Sequence, residues 1–223
     1  MANRQTSEVV RSKVLRSAIT MFLQDGYEKS TIAKISDASK VNRGSLCFAF
    51  KDKESMLCEL ISHVLEFQFE MAEKITAGKT ADKILFYAAE TALQLHLAEA
   101  TDQMREMYNV SYSMSNCAGI IYRYIAERQR IVFAESLPTW EGKDFYEREI
   151  AAAGVMRNFM SVPCDFYFTM GRKLRAFLES TLLLFRVPDE KIAEAIAFVE
   201  TFDWEKITKD AIERLPAYLE SKV

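Results

Sequence analysis

Residues 28–54, Glu-Lys-Ser-Thr-Ile-Ala-Lys-Ile-Ser-Asp-Ala-Ser-Lys-Val-Asn-Arg-Gly-Ser-Leu-Cys-Phe-Ala-Phe-Lys-Asp-Lys-Glu, constrain the fold of this chain more than any other stretch. Ser30 or Thr31 can cap a short helix that places Ile32, Ile35 and Ala38 on one face. The pattern breaks at Ser39-Lys40-Val41, and Asn42 offers a fresh capping oxygen for a second short helix over Arg43 to Phe48. Lys51-Asp52-Lys53-Glu54 then opens a longer helix. Two short helices joined by a tight turn form a helix-turn-helix unit, whose second helix enters the DNA major groove. The residues at the start of that helix, Asn42, Arg43, Gly44 and Ser45, are placed to approach base edges.

Ahead of the unit, a segment over about residues 6–25 carries Val10, Val14, Ala18, Met21 and Phe22 at helical spacing. It stops at Asp25-Gly26-Tyr27, where Gly26 supplies a left-handed terminal position. The order helix, Gly-Tyr, Ser-Thr, helix, turn, Gly-Ser-Leu, Phe-Lys-Asp-Lys-Glu resembles the N-terminal domain of the TetR/AcrR family of bacterial repressors over roughly residues 8–65. The resemblance implies an all-α homodimer with a three-helix DNA-binding domain over residues 1–51. Residues 52–223 would form a helical ligand-binding and dimerisation domain, with 52–76 as the connecting helix.

The implied function is a ligand-responsive repressor that holds two recognition helices about one DNA turn apart, ~34–36 Å, on a palindromic operator. Lys34, Arg43 and Lys51 are the candidates for phosphate or base contacts, with Thr31, Asn42 and Ser45 as polar partners. A small-molecule effector in the body would lower operator affinity by favouring a state with altered head spacing. Two residues depart from the family pattern. Lys40 occupies a turn position usually held by Gly, and must adopt positive φ or shift the turn. Cys47 stands where an aromatic commonly reaches phosphate, while Phe48 and Phe50 keep the hydrophobic seat. These departures leave a second reading open, a helical ligand- or protein-binding module with a degenerate helix-turn-helix.

The net charge of −3 would argue against a nucleic-acid partner if it were evenly spread. Residues 1–54 instead hold ten Lys and Arg against six Asp and Glu, and the remainder nineteen against twenty-six. A basic head on an acidic body suits a protein that presents one end to phosphates. Seven Gly, four Pro and no run of alternating β-branched residues favour helices throughout. The four cysteines, Cys47, Cys58, Cys117 and Cys164, lack the density of a disulfide framework, and Cys117 and Cys164 read as small buried apolar residues. The polar N-terminus and the absence of a long apolar run predict a cytoplasmic protein with no membrane partner.

Periodicity predicts further helices near 80–100, 101–113, 116–136, 143–160, 164–186, 189–200 and 203–221. The segment 164–186 carries Phe166, Phe168, Leu174, Phe177, Leu178, Leu182 and Phe185, more apolar surface than one core would absorb. Together with 143–160 it is the expected dimer interface, with Leu178 and Leu182 inside it.

Catalytic chemistry finds no support. His63 and His96 lie on separate predicted helices, and the chain has no metalloprotease motif, phosphate loop or nucleophile elbow. No enzyme activity, cofactor or metal is expected. Met and aromatic residues are dense between 104 and 170, in the part that would line a ligand cavity in the family. Tyr108, Tyr112, Tyr122, Phe159 and Tyr167 are the candidate walls, with Arg157 as a polar anchor for a hydrophobic or aromatic ligand, including an anionic one. The competing reading is that these residues fill the core and that Arg157 pairs with Asp165.

Overall fold

Side-chain capping decides where the first helices begin and end. In the computed structural model, which describes residues 2–223 and side chains from residue 7 onward, α1 spans Ala2–Gln24. Its Val14, Leu15, Ala18, Ile19 and Phe22 form one buried stripe, and Gly26 at φ 92° turns the chain out of it. Helix α2 (Ile32–Ser39) is capped by the Thr31 hydroxyl, which accepts from the Lys34 amide at 3.3 Å. Its buried face carries Ile35 and Ser39, whereas Ala38 is exposed. Lys40 takes the left-handed conformation, φ 55°, so the turn keeps its geometry at the cost of a strained non-glycine residue. Asn42 caps α3 (Arg43–Ala49) through a 2.9 Å bond from the Ser45 amide to its side-chain oxygen.

A reciprocal cap opens α4 (Lys53–Thr76). Asp52 Oδ1 accepts from the Ser55 amide at 2.8 Å, and the Ser55 hydroxyl accepts from the Asp52 amide at 3.3 Å. The remaining helices are α5 (Lys83–Ala100), α6 (Asp102–Ser113), α7 (Ser115–Phe133), α8 (Gly142–Ser161), α9 (Met170–Leu184), α10 (Asp189–Glu200) and α11 (Trp204–Lys222). There is no strand among the described residues, and no helix is long and apolar enough to cross a membrane. Helix α5 is buried on nearly every side because α4, α6, α7, α8, α9, α10 and α11 all pack against it.

Three expectations need correction. The segment 164–186 is not one helix: residues 162–169 form a loop in which Asp165 Oδ1 accepts from the amides of Tyr167 at 2.8 Å and Phe168 at 2.7 Å. The buried Lys173 ammonium anchors that loop by donating to the Val162 carbonyl and to Glu99, both at 2.5 Å. The apolar surface of α9 is absorbed within the monomer, since Leu174, Phe177, Leu178, Leu182 and Phe185 are all buried. Leu178 and Leu182 therefore belong to the core, and Ile150 and Leu183 stand outward, 46% and 57% exposed. Finally, Cys58 on α4 and Cys117 on α7 form a disulfide, with Cα atoms 4.8 Å apart, while Cys47 is exposed and Cys164 partly so.

Candidate nucleic-acid interface and internal cavity

Leu46 and Phe50 seat α3 on α1 and leave Arg43, Gly44, Cys47 and Phe48 facing solvent. Arg11 on α1 locks that seat: its guanidinium lies 4.1 Å from the Phe50 ring centroid and donates to the Ala49 carbonyl at 2.7 Å. The expected role of Phe48 is thus reversed. It is 82% exposed, and Phe50 alone fills the core. Thr31, Lys34, Asn42, Arg43 and Lys51 are exposed around the same end, and Ser45 is partly buried. Thr31 and Asn42 are already engaged as helix caps, and Lys34 Nζ donates to the Lys29 carbonyl at 3.0 Å. Of the three candidate cations, Arg43 and Lys51 remain for an anionic partner, beside the exposed Lys29 and Lys40. The thymine methyl is a natural contact for an exposed aromatic such as Phe48, which the sequence had assigned to the core.

Helix α6 ties this end to the body. The Glu106 carboxylate accepts from the Glu28 amide at 2.6 Å and lies where any Cβ at Gly26 would sit. Gly26 is favoured by its positive φ, and a side chain there would also have to push the Glu106 carboxylate aside. Lys53 Nζ donates to the Tyr27 carbonyl at 2.8 Å and lies over the Tyr27 ring, which packs in turn on Phe22. On the other side of α4, the Cys58–Cys117 disulfide is joined by a 3.2 Å bond from the Asn116 amide to Glu54. Head and connector are therefore tied to the body through α6 and through α7, and Arg16 on α1 adds a further link by donating to the Val223 carbonyl at 3.1 Å.

Further along α6 from Glu106, Tyr112 reaches a partly open cavity of about 30 Å³ between α4, α5, α7, α8 and α9. Its apolar wall includes Phe69, Phe86, Ile125, Met156 and Phe177. Its polar wall holds two buried carboxyls, Glu90 and Glu149. Gln68 Nε2 donates to Glu90 Oε1, and Gln129 Nε2 donates to Glu149 Oε2. Tyr108 OH donates to Gln68 Oε1 at 3.0 Å, and Gln94 Nε2 to the Tyr112 oxygen at 2.9 Å. Burial pushes Glu90 up to about 7 against the opposing Gln68 bond and Arg128 charge. Burial also holds Glu149 well above the usual carboxylate range, despite the Gln129 bond and with the Glu90 charge adding to the effect.

Of the six side chains expected around a ligand, Tyr112 lies in the cavity wall and Tyr108 stands behind it in the Gln68 network. Tyr122 is partly buried on α7 away from the wall, and Phe159 packs between Phe168 and Phe177. Arg157 is exposed on α8, and Tyr167, 83% exposed, projects from the loop before α9. Asp165 caps its own turn rather than pairing with Arg157. The residues missed were the polar ones. Gln68 between Phe67 and Phe69, and Glu90 and Gln94 inside Ala88–Leu97, are polar positions in apolar helical sequence. The same criterion that singled out Arg157 applies to them.

Residues 14–60 match the family model described as "Bacterial regulatory proteins, tetR family". The "HTH-type transcriptional repressor KstR2" of Mycolicibacterium smegmatis is 30% identical over 105 residues, 45% of this chain and 51% of that protein. The "Probable acrEF/envCD operon repressor" of Escherichia coli K12 is 31% identical over 84 residues, 37% of this chain and 38% of that protein. The chain thus spans about half the length, or less, of the curated relatives it matches. A crystal structure of RolR in complex with resorcinol has the same fold, with a TM-score of 0.68 and 17% identity over 89% of this chain and 97% of that one.

Proposed function

We propose, on the premise that this chain belongs through its N-terminal head to the TetR family of bacterial regulatory proteins, that it is a ligand-responsive transcriptional repressor. The observation that carries the reading is the pairing of an outward-facing, capped α3 with a mostly apolar internal cavity, edged by Glu90 and Glu149, in the body to which it is mechanically linked. The head, residues 1–51, reads a palindromic operator, and residues 52–223 bind the effector and a second copy of the chain. Arg43 approaches a base edge or phosphate, and Lys51 a phosphate, with Thr31, Lys34, Asn42 and Ser45 holding the turn geometry. A small aromatic effector is in keeping with the shared fold of resorcinol-bound RolR.

Helix α6 transmits the signal. Tyr112 contacts the cavity while Glu106, on the same helix, holds the Glu28 amide of the head. An effector that displaces α6 would shift the two heads of a dimer away from operator spacing, by as much free energy as it prefers the displaced state.

The DNA face is tested by gel shift against the promoter beside the protein's own gene. Arg43→Ala is expected to cost about 1–3 kcal/mol and relax sequence preference, whereas Lys51→Ala weakens every sequence and lowers the salt slope by about 1. Unchanged affinity in both variants refutes this face. The dimer is tested by light scattering. Ile150 and Leu183 are exposed on adjoining helices, so Leu183→Glu is expected to give a folded monomer by placing an unpaired carboxylate in the interface. A dimer unchanged by this substitution places the interface elsewhere.

A further inference from the structure

The bridge between α4 and α7 lies beside a carboxylate. Cys58 and Cys117 are buried, and Glu54, one turn before Cys58 on α4, completes a group whose two sulfurs and one carboxylate oxygen all lie within 4.8 Å of one another. Glu54 is only partly buried and is the edge of the group that reaches solvent, where an ion can enter. The Asn116 amide, in the first turn of α7, donates to Glu54 Oε1 at 3.2 Å, and Cys117 Sγ lies 3.7 Å from the Glu54 carbonyl. The end of one helix thereby orients the carboxylate supplied by the other, as outer hydrogen bonds orient metal ligands.

Two thiolates and a carboxylate suit a thiophilic divalent ion. Zinc takes sulfur at about 2.3 Å and carboxylate oxygen at about 2.0–2.2 Å in a tetrahedral array. Such bonds put the ligand atoms roughly 3–4 Å apart, a spacing that small side-chain shifts reach from the present one. On the repressor reading the chain works beside DNA, where thiols are kept reduced and paired cysteines more often hold metal than form lasting disulfides. Deprotonated, the three groups are anions in a mostly buried place, and a dication offsets their charge.

We propose that Cys58 and Cys117 in their reduced form, together with Glu54, bind one zinc-type divalent ion, with water in the fourth position. The ion replaces the S–S bond as the tie between α4 and α7, which reverses the expectation of no metal in this chain. Reduction comes first. A phosphine gives two electrons to the S–S bond and takes the oxygen of water, leaving two thiols and the phosphine oxide. Metal binding then displaces both thiol protons. Lys53, next to Glu54, holds the Tyr27 carbonyl, so the ion sits where the connector meets the head. The chelate itself does not depend on operator binding.

The test uses the full chain carrying Cys47→Ser and Cys164→Ser, which removes the two free thiols. After reduction with a phosphine, and removal of the phosphine under argon, the protein is titrated with Co²⁺, whose bonds to thiolate absorb by charge transfer in the near ultraviolet. The absorption is expected to saturate at about one ion per chain, to be displaced by Zn²⁺ but not by Mg²⁺, and to be absent from the oxidised protein. Adding Cys117→Ser should abolish it. Glu54→Gln should weaken Co²⁺ binding by about tenfold or more, while Glu73→Gln, exposed further along α4, leaves it unchanged. No charge-transfer band from the reduced protein overturns the proposal. So does a band that survives Cys117→Ser, or a Co²⁺ affinity that Glu54→Gln does not alter. Gel shift separates this site from the repressor reading. Loss of operator binding with the cobalt site intact refutes the repressor reading alone, and operator binding by a chain that takes up no Co²⁺ refutes the metal site alone.

Discussion

Removing the Cys58–Cys117 bridge is expected to lower the stability of the oxidised protein by about 4 kcal/mol. The bridged residues are 59 positions apart, and a cross-link over a loop of that length restricts the unfolded chain by about this amount in the chain-entropy account. Urea unfolding of Cys58→Ala, Cys117→Ala and the double variant should give nearly the same loss, since each removes the same bond. Dithiothreitol should destabilise the wild type and leave the variants unmoved. That comparison isolates the cross-link from the packing lost with each sulfur. A wild-type midpoint insensitive to reductant refutes the bridge. The effect reaches function because the bond joins the helix that carries the head to the first turn of α7.

The second large effect is electrostatic. Burial pushes Glu90 up to about 7 from an ordinary value of 4.5, so the folded state binds a proton that the unfolded state has released. The stability associated with that proton is fully present below about pH 4.5 and is lost as pH rises to about 7. At about 1.4 kcal/mol per unit the total is about 3 kcal/mol. Glu90→Gln removes the titrating group. Its stability relative to wild type should therefore rise by about 3 kcal/mol between pH 4.5 and pH 7.5, read from denaturant unfolding at each pH. Gln68 on α4, Arg128 on α7 and Glu149 on α8 face or flank the same cavity and remain in both proteins. Glu149 is shifted in the same direction, so the single variant leaves a residual slope of the same sign. A difference that is flat across this range refutes the burial of an acid at Glu90.

These two expectations show where sequence reading ended. The head was legible almost residue by residue because its determinants are local. Thr31, Asn42 and Asp52 cap helices within three residues of themselves, and Gly26 and Lys40 mark chain reversals through their own φ. Apolar spacing also located α4 to α8 and α10 to α11 to within a few residues. The loop before α9 escaped because Phe166, Tyr167 and Phe168 resemble a buried helical face, while a single Asp165 side chain turns the backbone outward.

The body's polar interior was out of reach for a different reason. Composition alone does not tell whether Arg157 or Glu149, both on α8, faces the core, since that depends on which neighbours α7 and α9 bring to each side. The pairing of Cys58 with Cys117 likewise depends on α4 and α7 crossing at those positions. What the sequence determined by itself is the all-α class, the helix-turn-helix and the division into a basic head and an acidic body, because capping, periodicity and charge act over a few residues. What only the tertiary structure decided is the cavity, its acidic lining, the bridge and the outward faces of α8 and α9, because burial and pairing are properties of helices brought together from distant parts of the chain.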